Sequence, residues 1–413
     1  MSQDTTLKRR ARIYAMVVAT ILDRQGVKAQ LKDAYRGARH LSLGVRLADA
    51  TTIDKALKQD EAIATQANVK SVIANRDYGL VIYQFELRET YWQSYTRADL
   101  PDTRAIGLGE KRAPILFELD PPHILIAGTT GAGKTETIKS GLMSLMLTHS
   151  PDELGIVLID PHQDYGSFDN ASHLILKRAI TADDITRSIL WCNQELAQRK
   201  RENNRDGKKI VLVIDEAAAD EVLADDRNLA IVQNIASQAR KFKMHAIVGT
   251  QKPSQKKLPD VIDKLNNKYI GRVDDARQSA AITGQAGLAA HKLTFGGDFL
   301  HVNGPEVKRL QVAMVTPKDY AVLPRGNQAQ VEVIEPADMV ILPPEPQPVG
   351  RPSTEIEPDI LAHYWRCGAK RLGAGKSYEA LGLTKYQHYQ VYKPFIEKFA
   401  QKFLELRRMK DAC

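Results

Sequence analysis

The sequence predicts an α/β fold with a parallel sheet, on three observations. Four short apolar runs recur between about residues 120 and 250, the gaps between them can hold helices, and a glycine-rich loop follows the first run. The runs cover residues 123–127, 155–159, 209–214 and 245–250. Each is apolar at successive positions rather than alternate ones, as in strands buried on both faces. Residues 136–147 and 185–201 fit crossover helices.

The flanks divide the chain further. Residues 1–29 read as an N-terminal helical segment. Its apolar stretch 13–22 follows Lys8-Arg9-Arg10 but stops at Asp23-Arg24 without an A-x-A-like cleavage site, so it reads as a short packed helix and not a leader. Residues 30–112 read as a small α/β domain with a helix over 52–66 and a strand over 79–87. The core spans 113–334. Six prolines among residues 335–353 exclude helix and central strand and mark an extended linker. This sets residues 354–413 apart as a tail domain.

Composition bounds the class. The 413 residues carry a formal net charge of +8. Residues 351–413 hold twelve Lys or Arg against seven Asp or Glu, so the positive excess is concentrated there. Cys192, Cys367 and Cys413 form no CxxC pair, which argues against a zinc site or disulfide framework and fits a reducing compartment. No apolar run reaches the roughly 18 to 20 residues that span a bilayer. The expectation is a soluble, cytoplasmic protein without membrane contact.

The loop Gly128-Thr129-Thr130-Gly131-Ala132-Gly133-Lys134-Thr135 fits G-x-x-x-x-G-K-[ST] in full and leads into a helix through Glu136. Its glycines let backbone N–H groups surround phosphates, and the helix N-terminus adds its dipole. Lys134 is placed to reach the β- and γ-phosphates of ATP, and Thr135 to offer its hydroxyl to Mg²⁺. Asp215-Glu216 ends the third apolar run in the Walker B manner. Asp215 is expected to hold Mg²⁺, and Glu216 to polarise the attacking water. Gln251, after the fourth run, is placed to sense the γ-phosphate.

Four ordered blocks carry a family resemblance: Pro122 to Thr135, Leu158-Ile159-Asp160-Pro161, Leu190 to Leu196 followed by Arg199-Lys200-Arg201, and Gln238-Ala239-Arg240 with His245 to Ser254. The sequence resembles the motor region of the FtsK/SpoIIIE-like DNA translocases, within the HerA–FtsK group of P-loop ATPases. The resemblance covers about residues 115–305, and more weakly 30–110. It implies a RecA-like fold for the core, a homohexameric ring around double-stranded DNA, and ATP bound between subunits. A catalytic arginine acting across that interface would fall at Arg272 first and Arg277 second; the aligned position itself is Lys268. No counterpart of the family's large membrane-anchoring region is expected, which suggests a mobile-element, phage, plasmid or defence setting with a recombinase, relaxase or nuclease nearby.

Channel loops of such a ring would present cations to phosphates. Lys252, Lys256 and Lys257 are candidates, as is the stretch from Arg199-Lys200-Arg201 to Lys208-Lys209. In the tail, helices over 359–367, 377–383 and 384–392 resemble a helix-turn-helix or winged-helix domain, with Lys385, Gln387 and His388 on the recognition helix. A helical docking module is the alternative for the tail. Two other functions stay open: a HerA-like ring that remodels or delivers a protein partner, and an ATP-switched DNA-binding regulator. Glu216 speaks against the last, because a switch needs no water-activating carboxylate.

Overall fold

The structure is a computed structural model that describes residues 3–326 apart from 78, 121–122, 217–224, 252–264 and 286. The stretches read as the proline-rich linker and the helical tail lie outside the described residues.

The chain opens on helix α1 (Gln3–Arg24). A four-stranded antiparallel sheet follows, made of β1 (Ala29–Arg36), β2 (His40–Leu47), β3 (Val72–Asp77) and β4 (Leu80–Glu86) in the order β1-β2-β4-β3. Helices α2 (Ile53–Leu57) and α3 (Asp60–Ala67) connect β2 to β3. The sequence predicts one helix here, but a turn at Lys58-Gln59 divides it. Leu7, Tyr14, Val18, Ile21 and Leu22 of α1 share a core with Leu43, Val81, Tyr83 and Phe85 of the sheet. The helix is thus longer than the predicted stretch 13–22, because its polar first turns still place Leu7 on the buried face. None of the described helices is long and apolar enough to cross a membrane.

A second, ten-stranded sheet carries the rest. Its strands are β5 (Tyr95–Thr96), β6 (Ala105–Gly109), β7 (Pro114–Leu116), β8 (Ile124–Ala127), β9 (Leu154–Ile159), β10 (Lys209–Ile214), β11 (Met244–Thr250), β12 (Asn267–Ile270), β13 (Asp298–Asn303) and β14 (Glu306–Met314). The order is β7-β6-β14-β13-β12-β8-β11-β10-β9, with β5 on β14. Strands β12, β8, β11, β10 and β9 are parallel neighbours, and the four predicted runs form four of these five. Antiparallel β13, β14, β6 and β7 extend the sheet, so the fold is α/β with a mixed sheet. Strand β6, which the sequence groups with the small domain, pairs with β14 here.

Period-two alternation sends the strand residues to two cores. Ile124, Ile126, Ile156, Val211 and Ile247 meet helix α4 (Lys134–Thr148) through Ile138, Leu142 and Met143. Leu125, Val157, Leu212, Ile214 and Val248 meet α5 (Ala182–Arg201) and α6 (Asp226–Gln238) through Ile185, Ile189 and Ile235. Helices α7 (Ala276–Thr283) and α8 (Pro317–Ala321) complete the described fold.

A buried ion pair ties the antiparallel extension together. The Arg309 guanidinium donates to Asp298 from Nε at 2.9 Å and from Nη2 at 2.6 Å, and from Nη1 to Gln84 of β4 at 3.0 Å. Burial alone would raise the Asp298 pKa, but Arg309 and the Thr294 amide hold it below the ordinary carboxylate range. Its stabilisation is therefore complete above about pH 4 and is lost as pH falls through the lower folded value. Asp298→Ala strands the guanidinium and is expected to cost about 3–5 kcal/mol in urea denaturation at pH 7, less as the pH is lowered toward 2. An unchanged urea midpoint would contradict this.

Candidate nucleotide site

Strands β8, β9, β10 and β11 run parallel, so their carboxyl ends share one edge of the sheet. Gly128, Asp160, Asp215 and Gln251 follow those ends. Open parallel sheets bind ligands there.

The loop after β8 turns on Gly131 and Gly133, at φ 82° and 102°, conformations that side chains disfavour. A Cβ on Gly133 would also stand 2.8 Å from the Gly297 nitrogen. Thr129 donates its N–H and hydroxyl to the Arg272 carbonyl at 2.8 and 3.1 Å. Gly296 and Gly297 donate their N–H groups to the carbonyls of Gly131 and Ala132 at 3.1 and 2.8 Å. These bonds fix the loop from behind. Helix α4 begins at Lys134 with no side-chain cap on its N-terminus, an arrangement suited to an anion.

Lys134 is buried, and its Nζ donates to Asp215 Oδ1 at 2.5 Å and to Glu216 Oε2 at 2.7 Å. Glu216 is also buried and holds a left-handed backbone at φ 58°, unusual outside glycine and common at functional positions. Its Oε1 accepts from the Gln251 amide at 3.2 Å, while the Gln251 side chain accepts from the Thr130 hydroxyl at 2.8 Å. The structure thus brings together Lys134, Asp215, Glu216 and Gln251, drawn from three separate strand ends.

Two contributors have no place in the motifs. Gly249 on β11 leaves room for the carboxylate, since a Cβ there would lie 2.9 Å from Asp215 Oδ1. Buried Tyr165 donates its hydroxyl to Asp215 Oδ2 at 2.9 Å. Burial, and then the Asp215 charge, push the phenol pKa well above its ordinary value, so it stays a neutral donor. The available signal was Asp160 in the second block, whose carboxylate accepts from the Tyr165 amide at 3.0 Å. Thr135 and Asp215 supply hard oxygens of the kind Mg²⁺ takes alongside phosphate and water. Among the described residues no group of three or more His, Cys, Asp or Glu is placed to hold a metal by itself.

The arginines differ in availability. Arg272 donates to the Leu293 carbonyl at 2.8 Å and lies 5.0 Å from the centre of the Phe295 ring, so it is engaged within its own chain. Arg277, in the first turn of α7, is exposed. Buried Lys268 donates to the Ile282 carbonyl at 2.9 Å. One proposed DNA contact is corrected: Arg199 is buried, bonded to Glu195 at 2.6 Å and to the Phe242 carbonyl at 2.7 Å. It locks α5 to the turn before β11 because its long stem packs in the core. Lys200 bonds Gln238, and Lys209 meets His149 at 2.9 Å. Lys252, Lys256, Lys257, Lys385, Gln387 and His388 lie outside the described residues.

Residues 86–269 match the model of the FtsK/SpoIIIE family. Over this stretch the chain is similar to the FtsK/SpoIIIE family. The matched stretch contains the glycine loop, Asp215, Glu216 and Gln251, and it ends just short of Arg272. A DNA translocase FtsK of Borreliella burgdorferi is 27% identical over 299 residues, covering 63% of this chain and 38% of that protein. A DNA translocase FtsK of Staphylococcus epidermidis is 25% identical, covering 77% of this chain and 44% of that one. The chain therefore spans less than half the length of these FtsK relatives. Among solved structures, the pCW3 conjugation coupling protein TcpA, in monomer form with ATPγS, aligns at 18% identity and a TM-score of 0.49. That alignment covers 76% of this chain and 99% of TcpA.

Gly249→Ala places a methyl group against Asp215 and is expected to weaken Mg²⁺-dependent nucleotide binding at least about tenfold, as moving a metal-holding group does. Isothermal titration with a slowly hydrolysed ATP analogue measures it. Native affinity in this variant would show that Asp215 takes no part.

Proposed function

We propose that the chain hydrolyses ATP and uses the energy to drive double-stranded DNA through a homohexameric ring with a RecA-like core. The observation that carries this reading is the convergence of Lys134, Asp215, Glu216 and Gln251 beside the glycine loop, inside the stretch similar to the FtsK/SpoIIIE family. The spatial order of the strands supports the core assignment, because β11 separates the loop strand β8 from the acidic strand β10. Gln251 is thereby interposed between loop and base.

The chemistry follows from these residues. Lys134 leaves its carboxylates for the β- and γ-phosphates, which restore its charge balance. Thr135 and Asp215 hold Mg²⁺, which neutralises charge on the phosphates when bound. With Lys134 withdrawn, Glu216 is a carboxylate free to orient and deprotonate water. Gln251, joined to both Glu216 and Thr130, reports loss of the γ-phosphate. Exposed Arg277 is better available than Arg272 to serve a neighbouring subunit's nucleotide. DNA contacts through the Lys252–Lys257 loop and a helix-turn-helix tail, and a mobile-element origin, belong to the same reading.

Two experiments test it. Glu216→Gln is expected to bind ATP and to lose about 10²- to 10⁴-fold in turnover, the usual contribution of a general base; normal turnover would remove Glu216 from that role. ATP turnover by the full chain is expected to rise with long duplex DNA and to lose that stimulation as salt is raised. Turnover indifferent to DNA would instead favour a ring that works on a protein partner.

A further inference from the structure

Tyr165 stands outside the signature motifs, yet its hydroxyl reaches Asp215, a group that holds the metal in the reading above. We propose that Tyr165 is a positioning residue that sets Asp215 for Mg²⁺. The proposal rests on the nucleotide reading of the site.

Two observations carry it. The first is the division of the Asp215 carboxylate: Lys134 takes Oδ1 and Tyr165 takes Oδ2. When phosphates draw Lys134 away, Oδ1 becomes available to the metal while Tyr165 still holds Oδ2. The carboxylate is then fixed against rotation by a bond that does not compete with the cation. Groups behind metal ligands commonly orient them in this way.

The second is how firmly the tyrosine is held. Asp160, fully buried at the end of β9, accepts from the amides of Asp164 and Tyr165 at 3.0 Å each and from Arg178 Nη1 at 2.7 Å. Arg178 in turn donates from Nε and Nη2 to Asp169, both at 2.9 Å. Burying a carboxylate and most of a guanidinium to fix a loop is costly unless the loop's geometry matters. What the loop presents to the site is the Tyr165 hydroxyl.

The test uses the full chain, a fluorescent ATP analogue and a Mg²⁺ titration read by anisotropy. Tyr165→Phe keeps the ring and removes only the hydroxyl. It is expected to raise the Mg²⁺ midpoint for analogue binding about 10- to 100-fold. Affinity in EDTA should stay within about twofold of native, since Lys134 and the loop are untouched. Phe168→Leu, which loosens the packing beside Tyr165 but spares the hydroxyl, should lower the melting temperature and keep the native Mg²⁺ midpoint. An unshifted midpoint in Tyr165→Phe, or an equal shift in Phe168→Leu, would overturn the proposal. Failure of the native protein to bind the analogue with Mg²⁺ would remove the nucleotide reading itself, a result distinct from either.

Discussion

One buried cation organises the site: the Lys134 ammonium held between the carboxylates of Asp215 and Glu216. Removing three charges from water is tolerable only when each finds partners, so neighbouring elements must supply them. Strand β10 delivers both carboxylates from adjacent positions, which requires Glu216 to take a left-handed backbone. Strand β11 gives up a side chain at Gly249 and lends the Gln251 amide. The loop after β9 brings Tyr165. Because attraction inside the protein is largely offset by lost hydration, the net strength of such a cluster is modest. A triphosphate that offers the ammonium comparable partners can therefore replace the carboxylates, and the exchange frees both of them for chemistry.

The same loop is linked to the N-terminal sheet. Gly296, whose amide supports Gly131, accepts at its carbonyl from Arg39 at 3.1 Å and from Gln311 at 2.8 Å. Arg39 also donates to Gln311 at 2.7 Å, and its guanidinium lies 4.4 Å from the centre of the Trp92 ring. Arg309, paired with Asp298, donates to Gln84 of β4. Polar contacts thus run from the glycine loop through Gln311 of β14 to Arg39 beside β2, and a second set runs from Asp298 through Arg309 to β4. The geometry of the glycine loop depends on residues far from it in sequence.

Much of this was legible beforehand, and the reason is local. The strands β8 to β11 are apolar on both faces, and Lys134, Thr135, Asp215 and Glu216 occupy motif positions with fixed relations to strand ends, so pattern alone locates them. Strands β13 and β14 escaped because Lys308, Arg309 and Gln311 interrupt an apolar pattern, and the burial of Arg309 depends on its partners Asp298 and Gln84. Tyr165 and Gly249 escaped for a related reason: their roles are set by what another element places beside them. Arg199 misled because a charge run reads as solvated, whereas the Glu195 and Phe242 contacts that bury it lie one helical turn and one strand away. Local signals name the groups that do chemistry, and tertiary contacts decide which groups aim them.

The account turns on Lys134 changing partners when nucleotide arrives. A crystal structure of the full chain with Mg²⁺ and a non-hydrolysable ATP analogue measures this directly. The account predicts Lys134 Nζ on the phosphate oxygens, the Asp215 Oδ2 bond to Tyr165 intact, and Glu216 released toward water. Bound analogue with Lys134 still between Asp215 and Glu216 would contradict it.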